Sequence, residues 1–389
     1  QERTRPVFLA LRDLRFATGR FALMGSVVAL ISLLLVMLSG LTAGLGGQNT
    51  AAIDRLGEQG VQRLVFGGAA GQEPTASFTQ SEFTVAQRDA WAATDGVASV
   101  EPLGVSQGRA IGLEHPVDTD PQGRADVSGE PTTGVATTAF IGLTPGGSDA
   151  PAGVEPGQIV LSQDVADSLH AQEGDAVAVS GFVYTVADVV PTEYYSHSPV
   201  TWLALEDWNA ISHTADDAVL GTAGLVRFDA GADVDAVAAA GDDAAGTVAE
   251  TVKGSYAALP SYRSENGSLM TMQGFLYGIS ALVVIAFLSI WTVQRTRDIA
   301  VLKALGGSNG WVLKDSLAQA AFVLVGGVAV GTGLAAVVGA FAGRAVPFEL
   351  SWATTAVPAA GVLVLGMLAA VVAVYRVTRI DPLVALGGN

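Results

Sequence analysis

Four stretches of this chain carry no charged residue: between Arg20 and Asp54, Glu265 and Arg295, Asp315 and Arg344, and Glu349 and Arg376. Each holds an apolar run of roughly 18 or more residues, the length an α-helix needs to cross a hydrocarbon layer about 30 Å thick. Half of the 389 residues are hydrophobic, and they concentrate in these runs. The pattern predicts spans at 21–44, 273–293, 316–340 and 355–375. The first resembles a secretory leader, because basic residues precede it. Its core is longer than a leader's and no small-residue cleavage pattern follows, so it is expected to remain as a span.

Charge then sets the expected orientation. Arg3, Arg5, Arg12, Arg15 and Arg20 precede the first span, Arg295, Arg297, Lys303 and Lys314 separate the second from the third, and Arg376 and Arg379 follow the fourth. Short basic segments stay on the cytoplasmic side, which places both termini in the cytoplasm. Residues 45–270 hold 31 acidic against 8 basic residues. This segment is expected outside, and its charge excludes nucleic acid as a partner. Without cysteine, no disulfide staples it.

The outer segment is long enough for its own core. In 174–190, Val177 and Val179 alternate before Ser180-Gly181, and Phe182, Tyr184 and Val186 alternate after it. That predicts a strand pair about a tight turn. Residues 162–174 read as a short helix with Ser162 as N-cap and Gly174 as its stop, and 231–252 as partly helical. Residues 114–134 are turn-rich. The fold class is therefore four transmembrane α-helices plus a large α+β extracytoplasmic domain. Small-xxx-small spacings at Gly40/Gly44, Gly327/Gly331 and Gly339/Gly343 fit either close packing within one bundle or a dimer seam.

Catalytic signatures are missing. There is no G-x-x-x-x-G-K-[ST] phosphate loop and no H-E-x-x-H, and the four histidines (115, 170, 197, 213) are scattered. An enzyme or resident metal centre is not expected. One polar connector is patterned nonetheless: in 295–307 Ile299, Leu302 and Leu305 recur three apart among charged residues, and Gly306-Gly307 follows as a C-cap. It reads as an amphipathic cytoplasmic helix, resting in the interface or packed on a partner.

Three stretches carry a resemblance. "RTRDIAVLKALGGSNGWV" (295–312), "RIDPLVALGG" (379–388) and "IVLSQDVADSLHAQEGDAVAVSGFVYTVADVV" (159–190) resemble the coupling segment, C-terminal signature and outer-domain core of MacB/FtsX-like ABC transporter permeases. The resemblance implies a MacB-like permease fold with this order: cytoplasmic segment 1–20, span 21–44, outer α+β domain 45–272, span 273–293, cytoplasmic coupling segment 294–315, span 316–340, outer loop 341–354, span 355–375 and cytoplasmic tail 376–389. It also implies a homodimer bound to two copies of a cytoplasmic ATPase that holds ATP and Mg²⁺, with membrane lipid around it. Arg297, Asp298, Ile299, Leu302, Lys303, Leu305 and Gly306 would be the ATPase contact.

Within that family, residues 38–49, 193–205, 261–272 and 381–388 resemble haem-exporting permeases of the HrtB type. This implies haem as substrate, with Tyr195, His197, Tyr262, Glu265, Met272 and Met37 as candidate contacts. Tyr, His and Met can all ligate haem iron. The same residues fit an interfacial aromatic belt and core packing. Arg344 is placed either to pair a propionate or to snorkel to the interface. Two other readings fit: an FtsX-like regulator of an outer cell-wall enzyme, and an exporter of a peptide, macrolide or lipoprotein.

Overall fold

A computed structural model describes residues 18–69, 71–212, 218–294 and 309–378. The expected ATPase contact, Arg297 to Gly306, lies outside the described residues, as do most of the 1–20 segment and the tail from 379. The chain divides into two compact units, residues 46–265 and residues 1–45 with 266–389.

The helical unit takes its apolar surface from four helices: α1 (Thr18–Glu58), α6 (Pro260–Gln294), α7 (Asn309–Ala342) and α8 (Trp352–Thr378). All four are long and apolar enough to cross a membrane. All four extend beyond the predicted spans, two of them by more than ten residues. α1 runs past 44 to Glu58, because no proline stops it and Ala52, Ile53 and Leu56 are buried in the core of the sheet domain. α6 starts before 273 at Pro260, a first-turn position where the missing N–H is harmless. α8 is capped reciprocally: Thr354 N–H donates to Ser351 Oγ at 3.2 Å, and Ser351 N–H to Thr354 Oγ1 at 2.9 Å. The bundle core joins Phe21, Met24, Val28 and Leu35 of α1 to Leu288 of α6, Leu324 of α7 and Ala370 of α8.

The glycine spacings are used within this one bundle. A Cβ on Gly331 would lie 2.2 Å from Ala29 O, and one on Gly327 2.9 Å from Gly25 O, so α7 meets the backbone of α1 directly. That is the close approach small residues permit.

All the described strands lie in the other unit: β1 (Arg63–Phe66), β2 (Phe83–Thr84), β3 (Val97–Leu113), β4 (Thr132–Leu143), β5 (Gln158–Ser162), β6 (Ala176–Val179), β7 (Phe182–Val190), β8 (Tyr194–Tyr195), β9 (Ser198–Ala204), β10 (Val219–Gly221), β11 (Ala223–Phe228) and β12 (Val248–Thr251). The main sheet runs β12-β1-β11-β3-β4-β9-β5-β7-β6, and β3 also pairs β6, which closes a ring from β3 round to β6. β4–β9 and β5–β7 are parallel and the other pairings antiparallel. Helices α2 (Val85–Ala92), α3 (Gln163–Leu169), α4 (Leu205–Ile211) and α5 (Val234–Ala245) lie between strands in sequence, giving the expected α+β domain.

The β6–β7 pair forms as its alternation predicts, turning at Ser180 (φ 50°) and Gly181 (φ 86°). The helix expected over 162–174 is shorter. Ser162 Oγ donates to the Val200 carbonyl and makes no side-chain cap. His170 then ends the helix in the left-handed region at φ 52°, well before Gly174.

Candidate functional site

The predicted contacts fall into two groups, one in each unit. In the sheet domain, β8 and β9 are joined by the two-residue turn Ser196-His197, with φ 48° and 64°. Both φ values are positive, as a type I′ hairpin requires, yet neither residue is glycine. Two backbone bonds hold the turn: Ser196 N–H donates to Asn49 O at 3.0 Å and His197 N–H to Gln48 O at 2.9 Å.

The side chains above this turn form one connected network. His197 Nε2 lies 2.9 and 3.0 Å from the Glu265 carboxylate oxygens, and Asn49 Nδ2 donates to Glu265 Oε2 at 3.1 Å. Asn49 Nδ2 is also 3.0 Å from His197 Nε2. Ser261 Oγ donates to Asn49 Oδ1 at 2.8 Å, and Ser196 Oγ is 2.8 Å from Ser261 Oγ. A carboxylate only accepts, so His197 must carry its proton on Nε2 to bond it. Amide and imidazole then both direct donors at Glu265, and the Ser261 hydroxyl holds the amide from its oxygen side.

His197 and Glu265 were expected from the sequence. Asn49, Ser196 and Ser261 were not singled out, although all three lie in the stretches quoted for the resemblance. Tyr195 is placed otherwise than expected: it is 4% exposed in the domain core, edge-on to Phe78 at 5.7 Å. Burial pushes its hydroxyl well above the ordinary range, so a tyrosinate ligand there is disfavoured. Tyr262 packs edge-on against Tyr256 at 5.4 Å, and Tyr256 donates to Asp54.

The helical unit contains an apolar cavity of about 560 Å³, inside the roughly 300–1,000 Å³ range of small-molecule sites. It brings together Met37 of α1 and Met272 of α6. Leucines of α1, Phe275 of α6, and Val346 and Phe348 from the α7–α8 connection complete most of the wall. Gln273 Nε2 donates to Thr42 Oγ1 at 3.1 Å, tying α6 to α1. Arg344 is exposed, its guanidinium 5.6 Å from the Phe341 ring centre. Phe348 was not anticipated; its signal lay in the spaced glycines, read only as helix packing.

Residues 270–382 match the family described as FtsX-like permease C-terminal. The chain carries an FtsX-like permease domain. Among curated relatives, the "Putative hemin transport system permease protein HrtB" of Staphylococcus epidermidis is 20% identical over 383 residues, covering 98% of this chain and 99% of that protein. An "Uncharacterized ABC transporter permease YknZ" of Bacillus subtilis is 29% identical over 126 residues, covering 30% of this chain and 31% of its own. A crystal structure of the extracellular domain of the YknZ transporter from Gram-positive bacteria is similar over 48% of this chain and 95% of that one, at 14% identity and a TM-score of 0.31. Residues 270–382 are thus similar to FtsX-like permeases, and the chain over nearly its whole length to a protein named as a transport-system permease.

Proposed function

We propose that this permease is the membrane subunit of an efflux transporter that exports haem, driven by ATP and Mg²⁺ bound in a separate cytoplasmic ATPase. The observation that carries the reading is the cavity of about 560 Å³ whose wall contains both Met37 and Met272. These residues are far apart in sequence, and a thioether from each faces one apolar space. Full-length similarity to a protein named for hemin transport supports the same cargo.

In this reading two copies of the chain pair with two copies of the ATPase. The segment 294–315 receives the stroke, with Ile299, Leu302 and Leu305 on the contact face, and the acidic sheet domain lies outside the membrane. Phe275, Phe341 and Trp352, each more than half exposed, belong to the surface that acyl chains or the second copy would cover. A ligand drives such a cycle only if it binds one conformation better than the other.

The test is a haem titration of the purified permease, followed by Soret absorbance, with and without the ATPase. Met37→Ala combined with Met272→Ala is expected to weaken binding by about tenfold or more, through lost ligation and packing at the cavity wall. Unchanged affinity and spectrum would remove both methionines as contacts. Haem-stimulated ATP hydrolysis supports export; hydrolysis indifferent to haem, with capture of a cell-wall hydrolase, supports the regulatory alternative.

A further inference from the structure

We propose that Phe348 is the size-selecting wall of the apolar cavity, and that Gly40 and Gly339 form the notch holding its ring out of the ligand's space. The inference rests on the reading that this cavity holds the transported ligand. The connection from α7 to α8 folds back on α1, where Glu349 N–H donates to Gly40 O at 3.0 Å. This bond delivers the neighbouring Phe348 onto two glycines of different helices. A Cβ on Gly40 would lie 2.3, 2.6 and 2.8 Å from Cζ, Cε2 and Cε1 of that ring, and one on Gly339 2.5 Å from Cε1.

Carbon atoms do not approach so closely, so a methyl at either glycine must move the ring. The ring is the free end of a side chain and shifts by rotation about its own bonds, leaving the backbone in place. It also lines the cavity alongside Met37 and Met272, so a ring expelled from the notch enters the ligand's space. Gly44 is different. Its Cβ would meet Pro347 O at 2.2 Å and Phe348 N at 2.7 Å. Those are backbone atoms, so Gly44→Ala disrupts the connection itself and is not a probe of cavity size.

Opposite substitutions should therefore act oppositely. Phe348→Ala merges notch and cavity, whereas Gly40→Ala or Gly339→Ala fills the cavity with the chain's own ring. Because the chain has no cysteine, Met37→Cys introduces a single thiol into the cavity wall. In the purified full-length chain, its labelling rates with N-ethylmaleimide and with the bulkier pyrene maleimide report the free space whatever the natural ligand is. Phe348→Ala is expected to raise the bulky-to-small rate ratio about tenfold, and either glycine substitution to lower it by a similar factor. Unchanged ratios, or shifts in one direction for both classes, would overturn the proposal. Should Gly40→Ala fail to give a monodisperse protein, Gly339→Ala makes the same displacement from another helix, and an unchanged ratio in Phe348→Ala is decisive alone. Haem titration of the parent chain, with Met37 intact, keeps the two readings apart: absence of haem binding removes the haem reading and leaves the labelling ratios to decide the role of Phe348.

Discussion

Two consecutive non-glycine residues in the left-handed region, Ser196 and His197, hold backbone strain of about 1–3 kcal/mol each. The Asn49-centred network offsets it, which makes Asn49 the residue whose loss is felt most widely. It is 1% exposed, accepts from Ser261 and donates to Glu265. Asn49→Ala leaves both partners short of a bond and is expected to destabilise the protein by about 1–3 kcal/mol, read as a lower thermal midpoint of the detergent-solubilised chain. Asn49→Asp should be worse at neutral pH, since it sets a second carboxylate beside Glu265; a midpoint equal to the parent's in both variants would contradict a structural role. Glu101 gives a residue-scale prediction in pH. Burial, and secondarily the Asp149 carboxylate, raise its pKa above the ordinary 4.5, against the opposing pull of Arg227. The folded protein thus holds this proton more tightly than the unfolded chain does. Stability from this group is present below 4.5 and declines as pH rises from there through the raised value. Glu101→Gln should flatten that slope in midpoints measured from acidic to neutral pH, and parallel curves for the two proteins would refute the assignment.

At the scale of elements, α4 sits on a paired glycine site. Gly104 of β3 and Gly142 of β4 are directly opposite in register. A Cβ on either would come within 2.2 or 2.4 Å of Trp208, whose Nε1 donates to Ser106 Oγ at 3.0 Å. Trp208→Ala is expected to destabilise by about 3–5 kcal/mol through the void it leaves, and Gly142→Ala by about 1–3 kcal/mol through overpacking. The double variant should fall short of their sum, because the added methyl occupies part of the void. Chemical denaturation of the four proteins measures the coupling, and strict additivity would show that the glycines do not serve the indole. The alternation in 176–190 was readable because a hairpin is local: its turn and both faces lie in one short stretch. The β3 pairings were not, since β4, β6 and β11 return from distant sequence and no single strand records its partner's register. The site divides the same way. His197, Glu265 and Met272 were singled out through resemblance to a family, and Met37 through its depth near the outer end of the first span. Asn49 and Ser261 become meaningful only once α1 and α6 both present their polar sides to the β8–β9 turn. The glycines at 40 and 339 were visible as spacing, but nothing in the spacing named the ring they receive.

At the scale of the molecule, the charge distribution is the strongest physical constraint on how the chain is threaded. Translocating the 45–270 segment exports an excess of carboxylates, whereas reversing the threading would carry the clustered arginines of 1–20 and 294–315 outward. Retention of Lys and Arg, rather than net charge, governs the choice, and it acts through these short flanks. The absence of cysteine allows a direct reading. Ser128→Cys places a thiol on an exposed turn of the sheet domain, and Lys303→Cys places one in the connector between the second and third spans. In intact cells a membrane-impermeant maleimide is expected to label the first at once and the second only after the membrane is opened. Two spans, α7 and α8, separate that connector from residue 379, so Arg379→Cys is expected to behave like Lys303→Cys. Labelling of position 303 in sealed cells would reverse the threading and remove the connector from reach of a cytoplasmic ATPase. Protection of positions 303 and 379 with exposure of 128 leaves that segment on the side where ATP is available, as energy coupling from a separate chain demands.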